Sequence, residues 1–190
     1  MNANKLPDNP QDPADALSRG TGLLRDHGLD PSGRWLLVDV YRQCLDLVVD
    51  GAVHGTWPVS TAATGLDNRQ DSGGTPPGLH TIDRKIGQEA EPGMIFASRR
   101  STGILWRKTA AGSGDELDLI LTRILTLAGC EEGVNRGPQV DSRERYIYIH
   151  GTNHEETLGT PASHGCIRMA SSAVTDLFER VQEGDPVVII

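Results

Sequence analysis

The chain has 190 residues, enough for one domain with a full core and too few for two. Its formal net charge of −8 argues against a nucleic-acid backbone as partner, since such binders carry a basic face, and no stretch approaches membrane-spanning length. Three cysteines, Cys44, Cys130 and Cys166, form no disulfide framework and fit a reducing compartment.

Residues 1–30 read as a polar leader. Asp8, Asp12 and Asp15 precede any apolar run, so the segment lacks the basic-then-apolar layout of a secretory signal. The expected location is the cytoplasm, or the periplasm if an export signal was missed or trimmed. Asp12-Pro13 is a cap and first-turn pair that opens a short helix through Ala16, Leu17, Leu23 and Leu24, against which Gly20 and Gly22 argue. Residues 31–190 read as one folded domain.

Residues 35–40, 44–49 and 52–57 read as successive strands, with Asp50-Gly51 as a hairpin turn. Residues 64–77, rich in Gly, Asp, Asn and Ser, read as a surface loop beside a site. Short strands are expected at 94–96 and 103–106. From 115 to 128, Leu117, Ile120, Leu121, Ile124 and Leu125 recur at helical spacing between Asp115-Glu116 and Gly129, which predicts an amphipathic helix. Residues 145–149 read as a buried strand ending at His150. A second helix, capped by Ser171 or Ser172, carries Val174, Leu177, Phe178 and Val181 on one face, and 186–190 closes the chain as an apolar strand.

The chemistry concentrates in Ser163-His164-Gly165-Cys166-Ile167-Arg168. A catalytic cysteine needs a base within hydrogen-bond reach and backbone N–H groups aimed at the oxyanion it creates. His150 at its strand end supplies the base, the loop over 153–162 is long enough to return the chain, and Gly165 permits the turn that exposes Cys166. The N–H groups of Gly165 and Cys166 are expected to form the oxyanion hole, and pairing with His150 to lower the apparent pKa of the pair. Cys44 and Cys130 read as small buried hydrophobes. A zinc site built from His150, His154, His164 and Cys166 is the rival chemistry. The 150/154 pair falls in a loop, however, and neither Cys-x-x-Cys nor His-Glu-x-x-His is present, so no metal and no cofactor is expected. Arg168 either binds a substrate carboxylate with its fork or is structural.

His150-Gly151, a spacer, then Ser163-His164-Gly165-Cys166 with Arg168 resembles the signature of the L,D-transpeptidase (YkuD-like) catalytic domain family. The resemblance extends upstream through Val59-Ser60-Thr61-Ala62 and Thr75-Pro76-Pro77-Gly78-Leu79-His80 and covers about residues 34–190. It implies a mainly β fold with a few helices (α+β), a β-sandwich catalytic domain into which the helix near 115–129 is inserted. By the same resemblance Cys166 is the nucleophile, His150 the base and then the acid, and the Gly151 carbonyl the partner of the other ring nitrogen. Ser163, His164 and His80 fall on the substrate side. The implied substrate is a peptidoglycan stem peptide or muropeptide, cut between the L-centre of a diamino acid, typically meso-diaminopimelate, and the following D-alanine through a thioester on Cys166. Water as acceptor makes an L,D-carboxypeptidase of muropeptide recycling, the reading a cytoplasmic location favours. An amine acceptor makes a cross-linking L,D-transpeptidase. A peptidoglycan-binding module without activity is the third reading, against which the presence of both Cys166 and His150 stands. Oligomeric state has no signature in the sequence.

Overall fold

The computed structural model describes residues 12–107 and 117–190. The N-terminal helix α1 (Pro13–Asp26) opens where the Asp12 side chain accepts the Ala14 N–H at 2.9 Å, with Pro13 in the first turn, where its missing N–H breaks no helical bond. Gly20 weakens an isolated helix, but here α1 rests on Trp35, and a Cβ at Gly20 would lie 2.8 Å from that ring. Ala16 and Leu24 are buried with Trp35, Leu37, Val48, Leu79 and Val188. The described part of the expected leader is therefore a layer of the folded domain.

The strands follow as β1 (Trp35–Asp39), β2 (Cys44–Val49), β3 (Ala52–Pro58), β4 (Gly78–Ile86), β5 (Met94–Ala97), β6 (Arg100–Leu105), β7 (Ile120–Gly129), β8 (Tyr148–Gly151), β9 (Ile167–Met169) and β10 (Pro186–Ile189). Asp50 and Gly51 both take positive φ, 50° and 71°, as a two-residue hairpin turn requires. The order β3-β2-β1-β10-β4-β7 is continued from β7 by β5 and β6 and, off that path, by β8 and then β9. Ile124 of β7 pairs with Ile86 on one edge and with His150 on the other, so β7 is the branch point. Beyond β9, Ser60 and Arg168 exchange backbone bonds of 3.0 and 2.9 Å, which joins β9 back to the chain just after β3. The sheet thus wraps round a core in which Leu36, Leu45, Leu127, Ile149, Ile167 and Phe178 meet.

The helix expected over 115–129 is not there. Asp115 and Glu116 lie outside the described residues, and from Ile120 the chain is β7, buried along nearly its whole length. A central strand covered on both faces reads as a continuous apolar run, and such a run satisfies helical spacing by accident. Leu125 and Leu127 enter the main core, Ile124 packs on the opposite face with Phe96 and Tyr148, and a bulge between Leu121 and Ile124 shifts the alternation. After β9 the helix α2 (Ser171–Arg180) buries Val174, Leu177 and Phe178 as expected. Its N-terminus is met by Glu155, whose carboxylate accepts the Ser171 N–H at 2.8 Å, and not by a serine cap.

His80 on β4 was expected near the substrate. It is fully buried, with one ring nitrogen 3.1 Å from the Gly78 carbonyl and the other 2.9 Å from the Ser142 hydroxyl, so its role is structural. Burial pushes its pKa down to about 4, against the opposing pull of the Gly78 carbonyl. A pKa depressed in the folded state means that the neutral ring is favoured, so this contribution is full above the unfolded value near 6.5 and is lost as pH falls toward 4. Between pH 7 and pH 4 the unfolding free energy of the wild type should therefore drop by about 3 kcal/mol more than that of His80→Gln. Parallel pH slopes for the two proteins in denaturant titrations would contradict this.

Candidate active site

The loop before β9 is held from both sides. Thr75 donates its hydroxyl to the Gly165 carbonyl at 2.9 Å and accepts the Ala62 N–H at 2.9 Å, tying the Thr-Pro segment to the cysteine turn. Gly165 sits at φ 129°, and a Cβ there would lie 3.2 Å from the Gly74 carbonyl and 3.3 Å from Ile147. Only glycine takes that backbone without strain. Ser163, expected to touch substrate, is buried instead. Its hydroxyl donates to the Cys166 carbonyl at 2.6 Å and accepts the Gly165 N–H at 3.2 Å. That second bond engages, at rest, the N–H expected to serve as an oxyanion donor.

Cys166 is half-buried at the start of β9. Its thiol donates to the Tyr146 carbonyl at 3.4 Å, while the Tyr148 N–H bonds to the sulfur. Tyr146 takes φ 57°, a left-handed conformation unusual for a bulky residue, and this places its carbonyl at the thiol. β8 and β9 run parallel with His150 opposite Arg168. Cys166, two residues before Arg168, shares that face, because side chains alternate along a strand. The His150 Nδ1 is 2.8 Å from the Gly151 carbonyl. A carbonyl can only accept, so Nδ1 carries the hydrogen and Nε2 the lone pair, as a general base requires.

Arg168 is buried and its fork is taken. It donates to the Asp118 carboxylate through Nη2 and to the Ala162 carbonyl at 3.2 Å through Nη1, so of its two expected roles the structural one describes it. Asp118 also meets Nδ1 of the exposed His164 at 3.2 Å. Burial pushes the Asp118 carboxyl up, but Arg168 and His164 outweigh it and hold the group below the usual carboxylate range. His150 is lowered by its burial, only partly opposed by the Gly151 carbonyl and Asp118. Burial also raises the Cys166 thiol to about 11, with the Tyr148 N–H pulling partly back. Burial thus acts against the depressed thiol pKa expected of the pair and favours neutral thiol with neutral imidazole. His154 is turned to the Leu117 carbonyl at 3.2 Å and to Glu156 at 3.3 Å, away from a shared centre with His150.

Two clefts border the 145–148 segment that the thiol contacts. One, of 290 Å³, is lined by Gln70, Asp71, Gly73, Arg145, Ile147 and His164. The other, of 380 Å³, is lined by Ser98, Arg99, Ile120, Tyr146 and Tyr148, with the Arg99 guanidinium 5.5 Å from the Tyr146 ring centre. A larger cavity of 610 Å³ between α1 and the β2–β3 turn contains neither thiol nor histidine.

The family model for the L,D-transpeptidase catalytic domain matches residues 33–189. The chain belongs to that family. A Bacillus subtilis protein provisionally named L,D-transpeptidase YqjB is 49% identical over 45 residues, 24% of this chain and 26% of that protein. The Ldtfm–avibactam carbamoyl enzyme superposes with a TM-score of 0.50 at 17% identity, over 83% of this chain and 48% of that one. An L,D-transpeptidase from Mycobacterium smegmatis gives 0.48 at 19% identity, over 83% and 58%. The chain thus spans about half the length of these solved relatives and a quarter of YqjB. The fold of this chain is mainly β, as expected, with β7 in place of the inserted helix.

Asp118 had no signal in the sequence, and Arg145 and Tyr146, expected in a buried strand, lie in the turn before β8, with Tyr146 exposed. If the resting thiol is neutral, alkylation of Cys166 by iodoacetamide should keep accelerating with pH beyond 9. A rate that levels off by pH 7 would show a thiolate–imidazolium pair instead.

Proposed function

We propose that the protein is a cysteine acyl-transfer enzyme acting on peptidoglycan stem peptides, with Cys166 as nucleophile and His150 as base. What carries this reading is the thiol set between the Tyr146 carbonyl and the Tyr148 N–H, on one strand face with a histidine whose lone pair is fixed on Nε2 by the Gly151 carbonyl. With a thiol pKa of about 11, roughly one molecule in ten thousand is thiolate at pH 7, so the proton must leave during attack.

The sulfur adds to the carbonyl carbon at the L-centre of the diamino acid while the thiol proton passes to His150 Nε2. The tetrahedral oxyanion is met by the N–H group of Cys166. It collapses with rupture of the C–N bond, His150 returns the proton to the leaving D-alanine nitrogen, and a thioester remains. An acceptor then gives its proton to His150 and adds to the thioester. The released sulfur recovers that proton.

Two clefts on either side of the 145–148 segment support an amine acceptor, since one can hold the donor stem and the other a second stem. The first reading is therefore L,D-transpeptidation. The second is L,D-carboxypeptidation of muropeptides, favoured by a polar cleft that admits water, and to it belongs the cytoplasmic location expected from the leader.

Cys166→Ala should lower D-alanine release from a disaccharide tetrapeptide by at least about a thousandfold. Cys44→Ala and Cys130→Ala should stay near wild type, alkylation should abolish turnover and chelation should leave it unchanged. Turnover that persists in Cys166→Ala refutes the nucleophile. Mass analysis with acceptor stem in excess separates the readings: cross-linked dimer supports transpeptidation, whereas tripeptide as main product, in a protein that fractionates with the cytoplasm, supports hydrolysis.

A further inference from the structure

The 290 Å³ cleft carries charges of both signs that do not neutralise each other at contact. Arg34, Arg42, Arg69, Arg143 and Arg168 each place a guanidinium on a carboxylate. Arg145 does not. Among the described residues its bonds go to neutral oxygens, the Asp67 carbonyl at 3.0 Å, the Gly74 carbonyl at 2.6 Å and the Ser72 hydroxyl at 3.3 Å. The Asp67 carboxylate beside it is already paired with Arg69 at 2.7 Å. Across the same cleft stands the exposed Asp71, bonded to the Gln70 amide at 3.2 Å.

A guanidinium held in place by neutral acceptors retains its charge for a ligand, and the Nε–H and the second Nη1 N–H, outside those bonds, can meet a carboxylate. An exposed aspartate lining the same cleft suits an ammonium. A ligand that satisfies both at once bears an ammonium and a carboxylate on one carbon. Ile147 lines the same cleft and lies between the Tyr146 carbonyl and the Tyr148 N–H that meet the thiol, so such a ligand would sit next to the reacting centre.

We propose that this cleft is a subsite for the zwitterionic amino-acid head at the end of the substrate's diamino-acid side chain, with Arg145 taking the carboxylate and Asp71 the ammonium. This rests on the reading of Cys166 as the nucleophile that attacks at that residue. Arg145 and Asp71 are then the specificity determinants that distinguish a diamino acid with a side-chain carboxylate from one without.

The test compares four tetrapeptide stems: diaminopimelate with free carboxylates, diaminopimelate amidated on the side-chain carboxylate, lysine, and Nε-acetyl-lysine. Arg145→Gln should lower kcat/KM on the first by at least about tenfold, mainly through KM, and stay within about twofold of wild type on the other three. Asp71→Asn, at an exposed side chain whose loss leaves the loop's backbone bonds in place, should weaken use of every stem with a free side-chain ammonium and spare acetyl-lysine. Equal losses on all four stems would reduce Arg145 to a loop anchor and overturn the subsite. So would an Arg145→Gln defect that disappears when the terminal D-alanine carboxylate, and not the side-chain one, is amidated. Calorimetric binding of the first stem to Cys166→Ala, alone and combined with Arg145→Gln, separates the two proposals. Binding that depends on Arg145 without turnover in the wild type keeps the subsite and rejects the acyl-transfer reading, whereas binding indifferent to Arg145 rejects the subsite.

Discussion

The parallel pairing of β8 with β9 is the constraint on which the site depends. It sets His150 opposite Arg168 and brings Cys166 onto the same face. A slip of one residue would turn every side chain of β9 to the other face, driving the thiol into the core and Ile167 out of it. β9 has three residues and two neighbours, β8 on one side and the backbone at Ser60 on the other, so the register is fixed by a ladder on one edge and a bridge on the other. Thr75 and Ser163 then lock the turn that precedes it. The core and the chemistry thus share one set of backbone bonds, and a change that loosens the wrapping of the sheet would move the thiol relative to its base.

Burial decides the charge state of that pair. Where water is largely excluded, creating an isolated thiolate or imidazolium is costly, and the structure raises the one pKa and lowers the other. The formal charge next to the pair is spent internally: Asp118 compensates Arg168, whose guanidinium would otherwise be buried alone. Under the proposed reading, a neutral thiol on one face with a neutral histidine resists adventitious oxidation and alkylation, and becomes nucleophilic only when a carbonyl arrives to take the electron pair as the proton departs. Tuning of this kind lies in depth and enclosure, which no motif records.

What could be read from the chain follows the same division. The β1–β3 hairpins, α2 and β10 are local: short apolar runs rich in β-branched residues, an Asp-Gly turn and an apolar stripe determine each within a dozen residues or so. The Ser-His-Gly-Cys turn and the strand-end histidine are also local, and their types announce the chemistry. β7 was misread because a strand covered on both faces loses the alternation that identifies it, and β4 passed unread because Arg84 and Lys85 interrupt its apolar residues. Gly20 looked like a helix breaker because its reason, the ring of Trp35, comes from another element. Asp118 lies outside every regular element, and only the closed sheet brings it to Arg168.

The two arginines near the thiol show why residue type and motif position do not settle a role. Arg168 stands in the motif and has the fork that binds carboxylates, yet the carboxylate it holds belongs to the protein, and its burial leaves no approach for another. Arg145 stands outside the motif, in a turn, and is bonded to neutral oxygens beside an open cleft. An arginine that has found its counter-ion is part of the framework. One held in place without a counter-ion at contact distance carries the charge that a ligand can meet, and for that reason the position to vary when substrate preference is in question is Arg145 and not the conspicuous arginine two residues after the cysteine.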